Sequence, residues 1–400
     1  MLRKSVLGAV CATNGALAAT ARRIVGQQHR SFTSTSQRSA NITHFTPTSS
    51  PELDSLLNDI RTKIILPHYL PEAQRKRIYS PKWEKKLQAD PVTIEIDGEV
   101  LKFGYQTDIP NVHRTILQAI RQFETPADFA NLKPLLEGIK YTGHKFSPNF
   151  YIEIMRVVGV KGHVFDIFDC ARSVRRTGYK LDDGEKVNEM LHFLQMTARD
   201  ADWDEAQTTQ ALRWVEMVIE MLQDEAHKPK LRKDKPVLPG ELPLNRDPMV
   251  LAAPLHLAAV LVAQHEAGEE VQDKVHKLAR DVVALWPEGT KLKEVQRVNF
   301  PGGKKVPYLA RPSTFAAIAT PLLHGLDTAI KVVEPELAGQ LQTRRDTLAA
   351  DVQEARTLAE EKREERIRRA EANEEATEEQ RMMAARETRA KVIHMKFPDT

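Results

Sequence analysis

A chain of 400 residues with 41% hydrophobic content can bury a substantial core, in one extended array or in two domains. Its 58 Lys and Arg against 55 Asp and Glu leave a formal net charge of only +3, too little to draw a polyanion by overall charge. Two cysteines, Cys11 and Cys170, exclude a disulfide scaffold and a cysteine-rich zinc site.

Residues 1–40 hold six Lys or Arg and no acid, the first acid being Glu52. Ser, Thr and Ala fill most of the remainder, and Leu2, Val6, Leu7 and Val10 give a weak apolar face. That composition predicts a leader for import into the mitochondrial matrix. A secretory signal fits less well, because Arg22-Arg23 and a long Ser/Thr tract follow the apolar run. Arg30-Ser31-Phe32-Thr33 resembles a matrix-peptidase site, with cleavage expected after Phe32. Losing residues 1–32 removes five positive charges and takes the net charge from +3 to about −2. Nucleic-acid contact must then come from local patches.

Residues 33–50 are rich in Ser, Thr and Asn without apolar periodicity and are expected to lack fixed structure. Ser50-Pro51-Glu52 starts a short helix over 51–65, which Pro67 ends. A basic stretch follows, Arg75-Lys76-Arg77-Ile78-Tyr79-Ser80-Pro81-Lys82-Trp83-Glu84-Lys85-Lys86. Apolar residues then alternate through 93–96 and 99–103 on either side of Asp97-Gly98, which predicts a two-residue β-hairpin.

From residue 108 the apolar spacing is helical almost to the end. Thr125-Pro126-Ala127-Asp128 supplies a cap, a first-turn proline and an early acid, and Ser147-Pro148 and Asp247-Pro248 repeat the cap-then-proline pattern. Residues 249–263 are apolar nearly all round. With Pro254 and His256 inside it, this stretch predicts a buried core helix and not a membrane span. Leu337, Leu341, Leu348, Val352 and Ala359 then form a narrow seam. From Arg344 to Lys391, 12 basic and 13 acidic residues intermix without Pro or Gly, predicting a long solvated helix. It is either a free tail or an arm docked on a partner surface.

The most informative feature is a self-match at an offset of 35 residues. Thr142-Gly143-His144-Lys145-Phe146-Ser147 recurs as Thr177-Gly178-Tyr179-Lys180-Leu181-Asp182. Ahead of each copy the apolar positions also superimpose: Leu132 on Ile167, Leu135 on Cys170, Leu136 on Ala171 and Ile139 on Val174. Each unit would be a helical hairpin closed by a left-handed glycine. A single hairpin cannot bury its own apolar face, so a fixed period in this range signals stacking.

The period, the closing glycine and the following Lys-Leu-Asp resemble the pentatricopeptide-repeat family over about 110–182, and more loosely over 183–225. The order of leader, basic arm, hairpin and helical pairs is similar to fungal mitochondrial proteins of this class. The resemblance implies RNA binding, with bases read by a polar residue early in the first helix and by the last residue of each repeat, here Ser147 and Asp182. The first-helix position of the second repeat falls near Ile152, which cannot hydrogen-bond a base, and Pro134 interrupts the second helix of the first repeat. Shape-driven or backbone binding, or protein binding, fits these residues better than a base-by-base code.

Three basic patches offer charge for phosphate. Residues 75–86 combine Arg75, Lys76, Arg77, Lys82, Lys85 and Lys86 with Tyr79 and Trp83, which could stack on unpaired bases. The stretch 228–235 carries Lys228, Lys230, Arg232, Lys233 and Lys235, and 291–305 ends in Lys304-Lys305. No phosphate loop, Gly-x-Ser-x-Gly or His-Glu-x-x-His occurs. His256, His265 and His276 do not share one helix face as neighbours, and they are expected as core or surface residues. Asp200, Asp202, Asp204 and Glu205 precede a helix, where acids stabilise an N-terminus without metal.

The expected fold is mostly α: stacked antiparallel helical hairpins, solenoid-like, with one small β-hairpin and a long charged C-terminal helix. The expected segments are a leader (1–32), an irregular segment with basic arm and hairpin (33–107), repeats (108–225), a further helical region with basic loops (226–335) and the charged helix and tail (336–400). The expected function is non-catalytic binding to RNA or ribonucleoprotein in mitochondrial gene expression, as a ribosome constituent or an associated factor. The alternative is a protein-only scaffold such as a respiratory-complex assembly factor. No cofactor, metal or small-molecule substrate is expected. The partners are mitochondrial RNA or a ribosomal subunit, with the C-terminal helix open to a protein. N-terminal sequencing of the matrix protein should find a chain that starts at or just after Thr33. Recovery of an intact Met1 would refute the leader.

Overall fold

The computed structural model describes residues 42–228, 243–295, 308–372 and 383. The chain enters as an extended strap, 42–50, lying against helices far along the sequence. Thr46 N–H donates to Asn131 Oδ1 at 2.8 Å, and Asn131 Nδ2 returns a bond to the Thr46 carbonyl at 3.0 Å. Ser49 donates from N–H and Oγ to Asp128 at 2.8 and 2.9 Å. The expectation of disorder is corrected for this strap, because its hydrogen-bond partners lie some 80 residues away, where no local composition can show them. Burial works against the Asp128 charge, yet N–H donors from Thr125, Glu124 and Ser49 hold its carboxyl well below the usual range.

Ser50 caps α1 (Pro51–Asp59), accepting from Leu53 N–H at 3.2 Å. The helix runs on through a π turn (Ile60–Ile65) and a 3-10 turn (Leu66–Tyr69), so it outlasts Pro67 by two residues. Next come α2 (Glu72–Ile78), a 3-10 turn (Pro81–Trp83) and α3 (Glu84–Ala89). Strands β1 (Val92–Ile96) and β2 (Glu99–Phe103) pair antiparallel, with Ile96 opposite Glu99. Asp97 and Gly98 have φ of +51° and +81°, the double left-handed bend that such a hairpin requires.

Helical pairs follow: α4 (Val112–Gln122) with α5 (Pro126–Phe129) and α6 (Leu132–Thr142), α7 (Pro148–Val160) with α8 (Val164–Arg172) and α9 (Val174–Thr177), and α10 (Gly184–Asp200) with α11 (Glu205–Met221). Helix α4 packs on α7 and α7 on α10, while α6 packs on α8 and α9. Pro134 sits in the first turn of α6, where its missing N–H has no acceptor to lose. It does not interrupt the helix, and the sequence expectation is corrected there.

The two matched copies behave alike. Gly143 and Gly178 both close their helices at φ +73°. In each copy the threonine Oγ accepts from the N–H two residues on, at 3.3 Å for Thr142 and 3.2 Å for Thr177. All four superimposed apolar pairs are buried, including Cys170, whose thiol burial pushes well upward.

Beyond the pairs lie α12 (Pro248–His265), α13 (Glu269–Leu285), α14 (Leu292–Val295), α15 (Pro312–Val332) and α16 (Pro335–Ala372). Every residue of α12 from Pro248 to Leu261 is buried, and α10, α11, α13 and α15 all pack on it. By length and composition α12 could cross a membrane, but 78% of the apolar window lies inside the protein. It is a core helix, as its embedded proline and histidine suggested.

The C-terminal helix is docked along its first two thirds. Leu337, Leu341, Leu348, Val352, Ala355 and Ala359 are buried, and Arg344 donates to the Trp286 and Val283 carbonyls at 2.8 and 3.1 Å, satisfying the end of α13.

Histidine chemistry is structural here. His256 is enclosed, with Nδ1 2.8 Å from Gln195 Oε1 and Nε2 2.9 Å from His324 Nδ1, and Trp203 stacks on His324 with centroids 5.4 Å apart. Burial holds both rings below the ordinary histidine pKa. His265 lies against the Trp203 carbonyl at 2.7 Å, and His276 turns back on its own helix. Asp204 caps α11, accepting from Gln207 N–H at 3.1 Å.

One contact sets the spacing of α12 and α15. A Cβ on Gly325 would lie 2.5 Å from His256 Cβ and 2.9 Å from its Cα. Gly325→Ala should therefore lower the melting temperature by a few degrees, because overpacking of about 1–3 kcal/mol exceeds the ~1 kcal/mol helix-propensity gain. A raised Tm would show that the two helices can separate without loss.

Candidate nucleic-acid interface

The strongest basic patch of the sequence lies on α2, the Pro81–Trp83 turn and α3. Ile78 and Leu87 are the buried pins, and the Ile78 carbonyl accepts from Gln106 N–H at 2.8 Å. With those faces committed, Lys76, Arg77, Lys82, Lys85 and Lys86 are exposed and Arg75 is half-buried. Arg75, Lys76 and Arg77 occupy the last turn of α2, where cations also favour the helix dipole. Lys76 pairs with Glu72 at 2.7 Å. Among the described residues, none of Arg75, Arg77, Lys82, Lys85 and Lys86 is ion-paired to an acid.

The two aromatics differ from a free stacking platform. The Arg77 guanidinium lies over the Trp83 ring at 4.8 Å and the Lys86 amine at 5.3 Å. A base that stacks there must first displace a cation, although the released cation is then free for phosphate. Tyr79 is half-buried, which pushes its phenol pKa upward.

Among the described residues, no contact joins the other expected residues to this surface. Ser147 is exposed at the start of α7, while Asp182 pairs with Lys186 on its own turn. Ile152 is 3% exposed and belongs to the core. Lys228 pairs with Glu225, and Lys230, Arg232, Lys233 and Lys235 lie outside the described residues, as do Lys304 and Lys305. At the start of the third patch, Lys291 and Lys293 are engaged by Asp351 of α16 at 2.7 and 3.6 Å. The basic spacing of that stretch reflects docking of α16 at least in part.

Sequence reasoning missed one neighbour. The charge of Arg75 acts on His68 and on His144, depressing each below the ordinary value behind the larger effect of burial. The His68 and His144 rings also lie 5.2 Å apart, edge to face, so the turn that ends the first matched copy meets the 3-10 turn just ahead of α2. The aromatic-basic run 144–146 was the available signal.

The sequence matches the profile of mitochondrial ribosomal protein mS27 over residues 30–380. The chain belongs to the mS27 family. Small ribosomal subunit protein mS27 of Neurospora crassa is 36% identical over 349 residues, covering 82% of this chain and 88% of that relative. The match to the mS27 family takes in the α2–α3 patch, the helical pairs and the docked part of α16.

For this mS27-family chain, reversing three charges by Arg75→Glu, Arg77→Glu and Lys82→Glu should weaken RNA binding severely. The log–log salt slope should become shallower by about 2, at roughly 0.7 per single-strand phosphate. The helical signal and melting curve should stay unchanged, since all three side chains avoid the core. Unchanged affinity in the folded variant would remove RNA from this surface.

Proposed function

We infer that this chain is a constituent of the small subunit of the mitochondrial ribosome, located in the matrix, and that it contributes binding surface and no catalysis. The observation that carries this reading is the mS27 family match over residues 30–380, with a relative named as a small-subunit protein at 36% identity. Helical pairs held by buried contacts suit a rigid platform in a large assembly.

The pairs α4 with α5–α6 and α7 with α8–α9 support a pentatricopeptide-like reading of residues 108–225. Their equal glycine caps and superimposed buried positions are what such units require. The apolar Ile152 argues against a base-reading code, and this favours use of the scaffold for shape and backbone contact. The α2–α3 patch is the surface we assign to ribosomal RNA phosphates; of the two repeat-terminal residues, Ser147 is exposed for contact with a base, whereas Asp182 is engaged by Lys186. The exposed outer part of α16, with Leu358 40% and Ile367 43% exposed, is the surface we assign to a neighbouring protein.

Tagged protein from gently lysed mitochondria should sediment with the small ribosomal subunit, stay there at moderate salt, and leave that position after ribonuclease treatment. Migration with a respiratory complex, unaffected by ribonuclease, would overturn this reading in favour of a protein-only scaffold.

A further inference from the structure

The two repeat copies close their turns with the same backbone but cover them differently. In the second copy, Tyr179 and Leu181 are both fully buried; the Tyr179 hydroxyl donates to the Tyr151 carbonyl at 3.0 Å, and Leu181 N–H donates to His227 Nδ1 at 3.1 Å. Among the described residues no such hydrogen bonds cover the first copy, where the His68 ring meets His144 edge to face. There His144 and Lys145 are exposed and Phe146 is half-exposed. They border an open groove completed by the start of α4, at Pro110, Asn111, Val112 and His113.

The groove is both aromatic and free of acid. Phe146 stacks on Phe150 with centroids 4.2 Å apart, and His113 approaches the same Phe150 ring at 4.9 Å. His144 adds a third ring, 6.3 Å from Phe146. No Asp or Glu is among the lining residues, and Lys145 supplies a fixed positive charge. The wall also contains the start of α4, whose capping Asn111 accepts from Arg114 N–H at 3.0 Å. His68, just ahead of the basic patch, meets the His144 ring edge to face with centroids 5.2 Å apart.

An apolar peptide would find rings here but also the Lys145 cation to desolvate, whereas a phosphate alone would leave the rings unused. A nucleotide uses both, because its base has a π face and its backbone carries the negative charge. We propose that this groove holds an unpaired nucleotide of RNA, its base against Phe146 and His113 and its phosphate toward Lys145. The site rests on the ribosomal reading given above and extends it from a charged patch to a defined pocket for single-stranded RNA. A base pair inside a duplex offers no free face, so the groove selects loops, bulges or ends.

The test uses the full mature chain and native small subunits. Ultraviolet crosslinking of subunits, followed by peptide mass spectrometry, should place nucleotide adducts on peptides containing 110–113 or 144–147. With a fluorescent uridine-rich 12-nucleotide RNA as probe, Phe146→Leu and Lys145→Ala should each weaken single-strand binding, by about tenfold for the ring. Affinity for a perfect RNA duplex should not change with Phe146→Leu. Lys145 is exposed, so its variant keeps the test valid even if Phe146→Leu loosens the turn.

Unchanged single-strand affinity in both variants, while the α2–α3 charge variant loses binding, would overturn the groove and leave the ribosomal reading intact. Groove crosslinks to a protein neighbour in place of nucleotide would overturn it also. A chain that neither binds RNA nor sediments with the subunit would remove both.

Discussion

Fourteen consecutive buried residues in α12 impose the main constraint on this protein. A helix without a solvated face must be surrounded, so the second half of the chain is organised by the need to enclose it. Helices α10 and α11 cover it from the repeat side, and α13 and α15 from the other. Helix α15 reaches it closely only because Gly325 leaves room for His256. The docked seam of α16 then covers α15 and α13. The long charged helix therefore belongs to the fold through its first two thirds, and only its outer part is available to other molecules.

Polar groups mark the joints between these layers. Arg156 of α7 donates to Glu189 of α10 at 2.8 Å and also to Glu185, which in turn accepts from Arg311 ahead of α15. Asn188 donates to the Tyr308 hydroxyl at 2.8 Å in the same region. A cluster like this is costly to break, because loss of one partner leaves a buried charge uncompensated. It ties the repeat pairs to the C-terminal helices and fixes their register. Asp128 and Asn131 perform the same service at the other end, where they hold the strap. Both joints use side chains far apart in sequence, which gives the fold specificity beyond what apolar contact supplies.

Local patterns were readable because their causes are local. Asp97-Gly98 between alternating apolar residues admits few other structures, and Gly143 and Gly178 announced their left-handed caps through the 35-residue self-match. The seam from Leu337 to Ala359 was legible for the same reason, although sequence left open whether anything lay against it. What stayed hidden depends on distant partners. Nothing within 42–50 reveals Asp128, and nothing in the charge run of α16 reveals that Lys291 and Lys293 lie opposite Asp351. Trp83 reads as a stacking platform in sequence, yet its own helices place two cations over the ring.

The same reasoning explains why a chain whose formal net charge is only +3 can still suit a ribosomal surface. Charge that neutralises phosphate must be unpaired in the protein, and many of the basic residues on the helical stack are committed to acids. Lys133, Arg121, Arg176, Lys274 and Arg345 all meet acids on neighbouring helices or turns, at distances from 2.5 to 3.2 Å. Those pairs lock the stack and contribute little outward field. The 3-10 turn that leads into α2 meets the open turn of the first matched copy through His68 and His144, and the second copy fills its equivalent turn with Tyr179 and Leu181. Divergence between the two matched copies thus gives two different surfaces. A copy that buries its turn carries the stack onward into α10, whereas the copy that leaves its turn open keeps His144 and Lys145 exposed at the surface.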